Sequence, residues 1–161
     1  MCAIIGFSLY NVDKERDVDL IRRAFLQSQI RGKHATGVSW LDKNSIVNTF
    51  SLPVCAEEFV EEFDFSQCIV NENRIIELIG HCRYSTSDLE YNQPIQIDNK
   101  AIVHNGVITQ ELYENWVDGC ITKNDTELLL RSFINGEDYT VVWSEASISA
   151  LILDENGIYA F

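Results

Sequence analysis

Cys2 is the residue of this sequence with the most chemistry open to it. Methionine aminopeptidases excise an initiator Met when the next side chain is small, so the expected mature chain begins with a cysteine carrying both a thiol and a free α-amine. In model peptides an α-amine titrates near ~7.7–8.0 and a thiol near ~8.5, so both are partly deprotonated around neutrality. One residue then holds a sulfur nucleophile and the base that takes its proton. The plain alternative is a small core hydrophobe opening a strand. Cys55, Cys68, Cys82 and Cys120 are dispersed and, with Cys2, make an odd total of five; they read as reduced, inert thiols. No Cys-x-x-Cys occurs, and the spacing of His34, His81 and His104 builds no metal site, so neither a metal nor another cofactor is expected. His81 and His104 read as strand histidines with structural hydrogen bonds.

Four blocks accompany Cys2 in order along the chain: Cys2-Ala3-Ile4-Ile5-Gly6, Arg31-Gly32-Lys33-His34-Ala35-Thr36-Gly37, Gly80-His81-Cys82-Arg83-Tyr84-Ser85-Thr86 with Asn92-Gln93-Pro94, and His104-Asn105-Gly106 with Asn124-Asp125-Thr126-Glu127. In these blocks the chain resembles a class II glutamine amidotransferase domain of the N-terminal nucleophile hydrolase superfamily. The Gly-His-x-Arg-Tyr-Ser-Thr block is most similar to the glutaminase domain of the amidophosphoribosyltransferases. The resemblance implies an α+β fold in four αββα layers, two stacked and mainly antiparallel sheets covered by helices. It implies L-glutamine as substrate, with Cys2 attacking the side-chain amide. Arg83 would grip the α-carboxylate with its planar fork, Asp125 would accept the α-ammonium, and Thr86 would touch substrate from the loop of residues 83–94. Asn105, by its side-chain NH₂, and Gly106, by its backbone N–H, would hold the oxyanion. Each residue also has an ordinary role open to it: Arg83 in a surface ion pair, Asn105-Gly106 as a hairpin turn, Asp125 as a helix cap.

The match departs from the family at several points. His34 stands where an acidic residue is usual, and Ile30 where a His often precedes the arginine. Ser87-Asp88-Leu89-Glu90 replaces small residues and brings negative charge near Arg83. No phosphoribosyl-, sugar- or ATP-binding motif is present, so residues 1–161 are expected to form one glutaminase domain without a synthase domain. Ammonia would pass to a separate acceptor synthase or be released. Two other readings stay open: an amidohydrolase of the same chemistry acting on a different amide, and a catalytically silent interaction module of the same fold.

These residues need elements to carry them. Cys2 to Tyr10 is an apolar run of strand length. Asp13 to Gln29 predicts a helix with Val18, Ile21, Phe25 and Ser28 along one face, Asp17 or Asp19 serving its N-terminal end. Val38–Leu41 and Ile46–Phe50 flank a polar turn and predict a hairpin. A short helix is predicted over Glu57–Phe63, another over Glu111–Trp116 and a longer one over Asp125–Asn135. Ile75–Tyr84, Ala101–Ile108, Val141-Val142, Ile148–Leu153 and Ile158–Phe161 are predicted strands. Alternation puts His81 and Arg83 on one face of their strand, and Cys82 and Tyr84 on the other.

The chain has 161 residues, enough to bury one core, and 46% of them are apolar, which excludes wholesale disorder. Its formal net charge of −13 argues against nucleic acid or an anionic membrane as partner, both of which select a positive surface. No apolar run reaches membrane-spanning length, and no leader pattern opens the chain. A cytoplasmic location is the expectation.

Overall fold

The computed structural model describes residues 2–70, 74–85, 89–116 and 119–161. In chain order the elements are β1 (Ala3–Leu9), α1 (Lys14–Ser28), β2 (Ala35–Leu41), β3 (Val47–Leu52), α2 (Ala56–Glu62), β4 (Ile76–Arg83), β5 (Ile95–Ile97), β6 (Lys100–His104), α3 (Thr126–Ile134), the single turn α4 (Tyr139–Val142), β7 (Ala150–Asp154) and β8 (Gly157–Ala160). Short 3₁₀ turns cover Phe65–Cys68 and Tyr113–Asn115. The fold is mixed α+β with two antiparallel sheets, ordered β1-β4-β2-β3 and β5-β6-β7-β8.

Helix α1 starts where Asp13 accepts the Arg16 N–H at 2.9 Å, and Asp17 answers by accepting the Asp13 N–H at 2.8 Å, so two orphan donors are satisfied reciprocally. Its Ile21 and Phe25 are fully buried. Gly80 on β4 makes room for Phe25, since a Cβ there would stand 2.3 Å from the ring. Phe25, Phe59, Phe63 and Phe65 pack with β4's Ile76, Leu78 and Cys82 under α1 and α2. Burying each such large side chain contributes about 1.5–3 kcal/mol. A second cluster joins Leu128, Leu129 and Leu130 of α3 to Ile95, Ile102 and Ile152. A third, of Leu41, Val47, Ile79, Ala101, Val103 and Leu153, draws on strands of both sheets. Ile79 thus points away from α1, and by alternation so do His81 and Arg83.

Three expectations are corrected. Val141-Val142 lies in the α4 turn, not a strand: both N–H groups donate to Asp138 O, at 3.0 and 2.9 Å, and both side chains face solvent. The strand expected over Ala101–Ile108 ends at His104, because the chain turns at Asn105-Gly106. Glu111–Trp116 holds only the 3₁₀ turn. Among the described residues no helix is long and apolar enough to cross a membrane.

Candidate active site

Strand register delivers Cys2 to its place. On the β1–β4 ladder Ala3 faces Cys82, so one step further along the same register Cys2 stands opposite Arg83. The end of β6 and the start of α3 approach from the second sheet. Where they meet is a cavity of about 630 Å³ whose lining includes Cys2, Arg83, Asn105, Gly106 and Asp125. Trp116 and Lys123 also line it, and no pattern in the sequence singled them out. Thr86, with the acidic departure at Ser87-Asp88, lies outside the described residues.

Cys2 is held from three sides. Its backbone N–H donates to Asn105 Oδ1 at 3.0 Å, its thiol is 3.8 Å from Tyr84 O, and its carbonyl accepts from Arg31 Nε at 3.1 Å. The contact to Asn105 spans the two sheets. Because Oδ1 is occupied, the two N–H donors of Nδ2 remain, and no described residue takes them. Asn105 is fixed in turn by its own N–H donating to Ser149 O at 2.9 Å. Gly106 has φ +155°, and a Cβ there would fall 1.7 Å from Ser147 O and 2.7 Å from His104 Nε2. Only glycine fits so close a backbone approach.

Arg83 Nη1 donates to Tyr91 O at 3.0 Å and Asn92 Oδ1 at 2.7 Å, tying the end of β4 to the chain that follows it. Asn124 Nδ2 donates to the same Tyr91 carbonyl at 3.2 Å. Asp125 occupies the N-cap position of α3 without capping it; Asn124 Oδ1 receives the Thr126 N–H instead, at 3.2 Å. The Asp125 carboxylate reaches across to the backbone, its Oδ2 accepting from Ile108 N at 2.7 Å and Thr109 N at 3.3 Å. Oδ1 accepts no hydrogen bond from the described residues. The ordinary cap role for Asp125 is therefore excluded, and Arg83 is bound to two neutral acceptors of the chain that follows β4.

A buried polar network supports this floor. His104 N–H donates to Gln93 Oε1 at 2.6 Å, Gln93 Nε2 donates to Thr126 Oγ1 at 3.0 Å, and Thr126 Oγ1 lies 3.2 Å from His104 Nδ1. His104 Nε2 is 3.0 Å from Ser147 O. A carbonyl can only accept, so Nε2 carries the proton and Nδ1 accepts from Thr126. Burial pushes the His104 pKa down, which keeps this neutral tautomer. His81 is the exception to the expected structural hydrogen bonds: it is 1% exposed, and neither ring nitrogen has a partner among the described residues. Burial, with the charge of Arg83, lowers its pKa to about 3.

Glu127, completely buried, anchors the loop leading into α3. It accepts from Ile121 N at 2.8 Å, Thr122 N at 2.6 Å, Thr122 Oγ1 at 2.7 Å and Arg131 Nε at 2.8 Å. Burial works against its charge, but these hydrogen bonds outweigh burial and leave its pKa below the ordinary carboxylate range. Of the other thiols, Cys82 is pushed up to about 12 and Cys68 is also raised, both mainly by burial. Among the described residues no three His, Cys, Asp or Glu side chains group closely enough to hold a metal ion.

No protein-family model matches this chain, and no curated protein matches it. Among solved structures it is similar to glutamine phosphoribosylpyrophosphate (PRPP) amidotransferase from B. subtilis, complexed with ADP and GMP, at 21% identity and a TM-score of 0.60. The alignment covers 95% of this chain and 35% of that one, so the chain spans about a third of the length of that enzyme. The likeness is one of fold.

Proposed function

We propose that this chain is a glutamine amidotransferase domain of the N-terminal-nucleophile kind, hydrolysing the side-chain amide of glutamine. Its three apolar clusters suit four αββα layers, with residues 1–161 forming one such domain. The observation that carries the reading is that Asn105 Oδ1 grips the nitrogen of Cys2 at 3.0 Å while both residues face the cavity that Arg83 and Asp125 also line.

After Met1 removal that nitrogen is the α-amine. One of its N–H bonds points to Asn105, which leaves its lone pair for the thiol proton. Cys2 Sγ attacks the amide carbon of glutamine, and the oxyanion is met by Asn105 Nδ2–H and the Gly106 N–H. The proton held by the amine passes to the departing nitrogen, the C–N bond breaks, and ammonia leaves a γ-glutamyl thioester on Cys2. Water, giving its proton to the same amine, then adds to the thioester and releases glutamate and the free thiol. Arg83 binds the α-carboxylate, Asp125 Oδ1 the α-ammonium, and Thr86 a further substrate atom. The ammonia is either released or taken up by an acceptor synthase.

Intact mass spectrometry before and after an electrophilic glutamine analogue tests the reading, together with glutamate release from glutamine. The expected results are loss of Met1, a single adduct on Cys2, and no turnover by Cys2→Ala. Glutamate release by Cys2→Ala at the wild-type rate would refute the mechanism. A processed but inert wild type would favour the silent module.

A further inference from the structure

His34 lies outside the cavity lining, in the segment between α1 and β2, yet it brackets a residue of the site on both sides. Its main-chain N–H donates to Arg83 O at 3.0 Å, which continues the β2–β4 ladder one step beyond the Ala35–Arg83 pair. Its ring Nδ1 accepts the Ser85 N–H at 2.9 Å. The second bond is made by a side chain, from the residue just before β2 begins. Between the two anchored groups sits Tyr84, whose ring lies 5.0 Å from the imidazole at 38° and whose carbonyl is the acceptor 3.8 Å from the Cys2 thiol.

We propose that His34 is a positioning residue for glutamine binding: acting as a neutral hydrogen-bond acceptor, it fixes Tyr84-Ser85 and so holds Arg83 and the Tyr84 carbonyl beside Cys2. This rests on the glutaminase reading above. The geometry requires the tautomer with its proton on Nε2, because Nδ1 faces a donor. As a neutral acceptor the imidazole holds Ser85 without adding a negative charge of its own beside Arg83. His34 is exposed, so its replacement leaves the core intact.

The test compares wild type with His34→Ala and His34→Asn, the amide oxygen of Asn standing in for Nδ1. Amide hydrogen exchange at Ser85, followed by NMR, reads the contact directly, and steady-state glutamine hydrolysis reads its consequence. Loss of one hydrogen bond is expected to raise KM about two- to tenfold in His34→Ala with kcat nearly unchanged. Ser85 exchange should quicken in that variant, and His34→Asn should restore both. Unchanged Ser85 exchange in an active His34→Ala overturns this proposal alone, as does an Asn variant no better than Ala. A wild type inert toward glutamine overturns the glutaminase reading instead, and with it the KM effect.

Discussion

The side-chain carbonyl of Asn105 accepts the backbone N–H of Cys2 at 3.0 Å, joining residues 103 apart in sequence and one sheet to the other. The same amide group that orients the Cys2 nitrogen turns its NH₂ away from it. In the mechanism proposed above, one side chain would align the base and stabilise the oxyanion.

Replacing Asn105 separates those two duties. In Asn105→Asp a carboxylate oxygen still accepts from the Cys2 nitrogen, but both N–H donors are lost and a negative charge stands where the oxyanion forms. Glutamine hydrolysis should fall about 10²–10³-fold in kcat, the size of effect that follows loss of an oxyanion donor. Thermal unfolding run alongside should show the fold retained. A kcat close to wild type would remove Asn105 from the mechanism.

Gly106→Ala should be far more damaging than Gly136→Ala. Both glycines have positive φ, +155° and +69°, but a Cβ at Gly136 meets nothing within 4 Å, while at Gly106 it meets Ser147 O at 1.7 Å. Backbone strain alone at Gly136 costs about 1–2 kcal/mol. Gly106→Ala adds displacement of the Ser147 segment and of His104, so its unfolding midpoint in urea should drop further. Equal midpoints for the two variants would contradict the close approach.

His81 should make the protein acid-sensitive. Its folded pKa, near 3, lies below the ~6.5 of an unfolded histidine, so between those values the unfolded chain binds a proton the folded chain refuses. Stability from this group is complete above ~6.5 and declines as pH falls through the window, by about 1.4 kcal/mol per pH unit. His104, also lowered by burial, acts in the same direction. His81→Leu should flatten the slope between pH 6 and pH 4 in denaturant titrations. An unaltered slope would show that His81 does not titrate in this way.

Much of this architecture is legible in local pattern. The apolar run of β1, the spacing of Ile21 and Phe25 on α1, the β2–β3 hairpin around Asp42-Lys43-Asn44-Ser45, and α3 behind Asp125 each carry their own periodicity and stop signals. Asp17 does serve the start of α1, but through the Asp13 cap that precedes it. The three-residue strand β5 is too short to show alternation and exists because β6 pairs with it. Val141-Val142 has strand-like composition but pairs with no strand among the described residues, so local hydrogen bonding to Asp138 wins.

The candidate site divides the same way. The chemistry of Cys2 could be read from its own thiol and amine, whereas Arg83, Asn105, Gly106 and Asp125 were nominated by the resemblance that the four ordered blocks carry. Which acceptor each donor finds was decided by tertiary structure: Asp125 giving up its helix cap for Ile108 and Thr109, His34 reaching Ser85, Gln93 and Thr126 enclosing His104, and His81 left without a partner among the described residues. The reason is physical. Periodicity and propensity act over a few residues, whereas these contacts join groups 11 to 51 positions apart and form only once strand register and sheet packing have brought their backbones together.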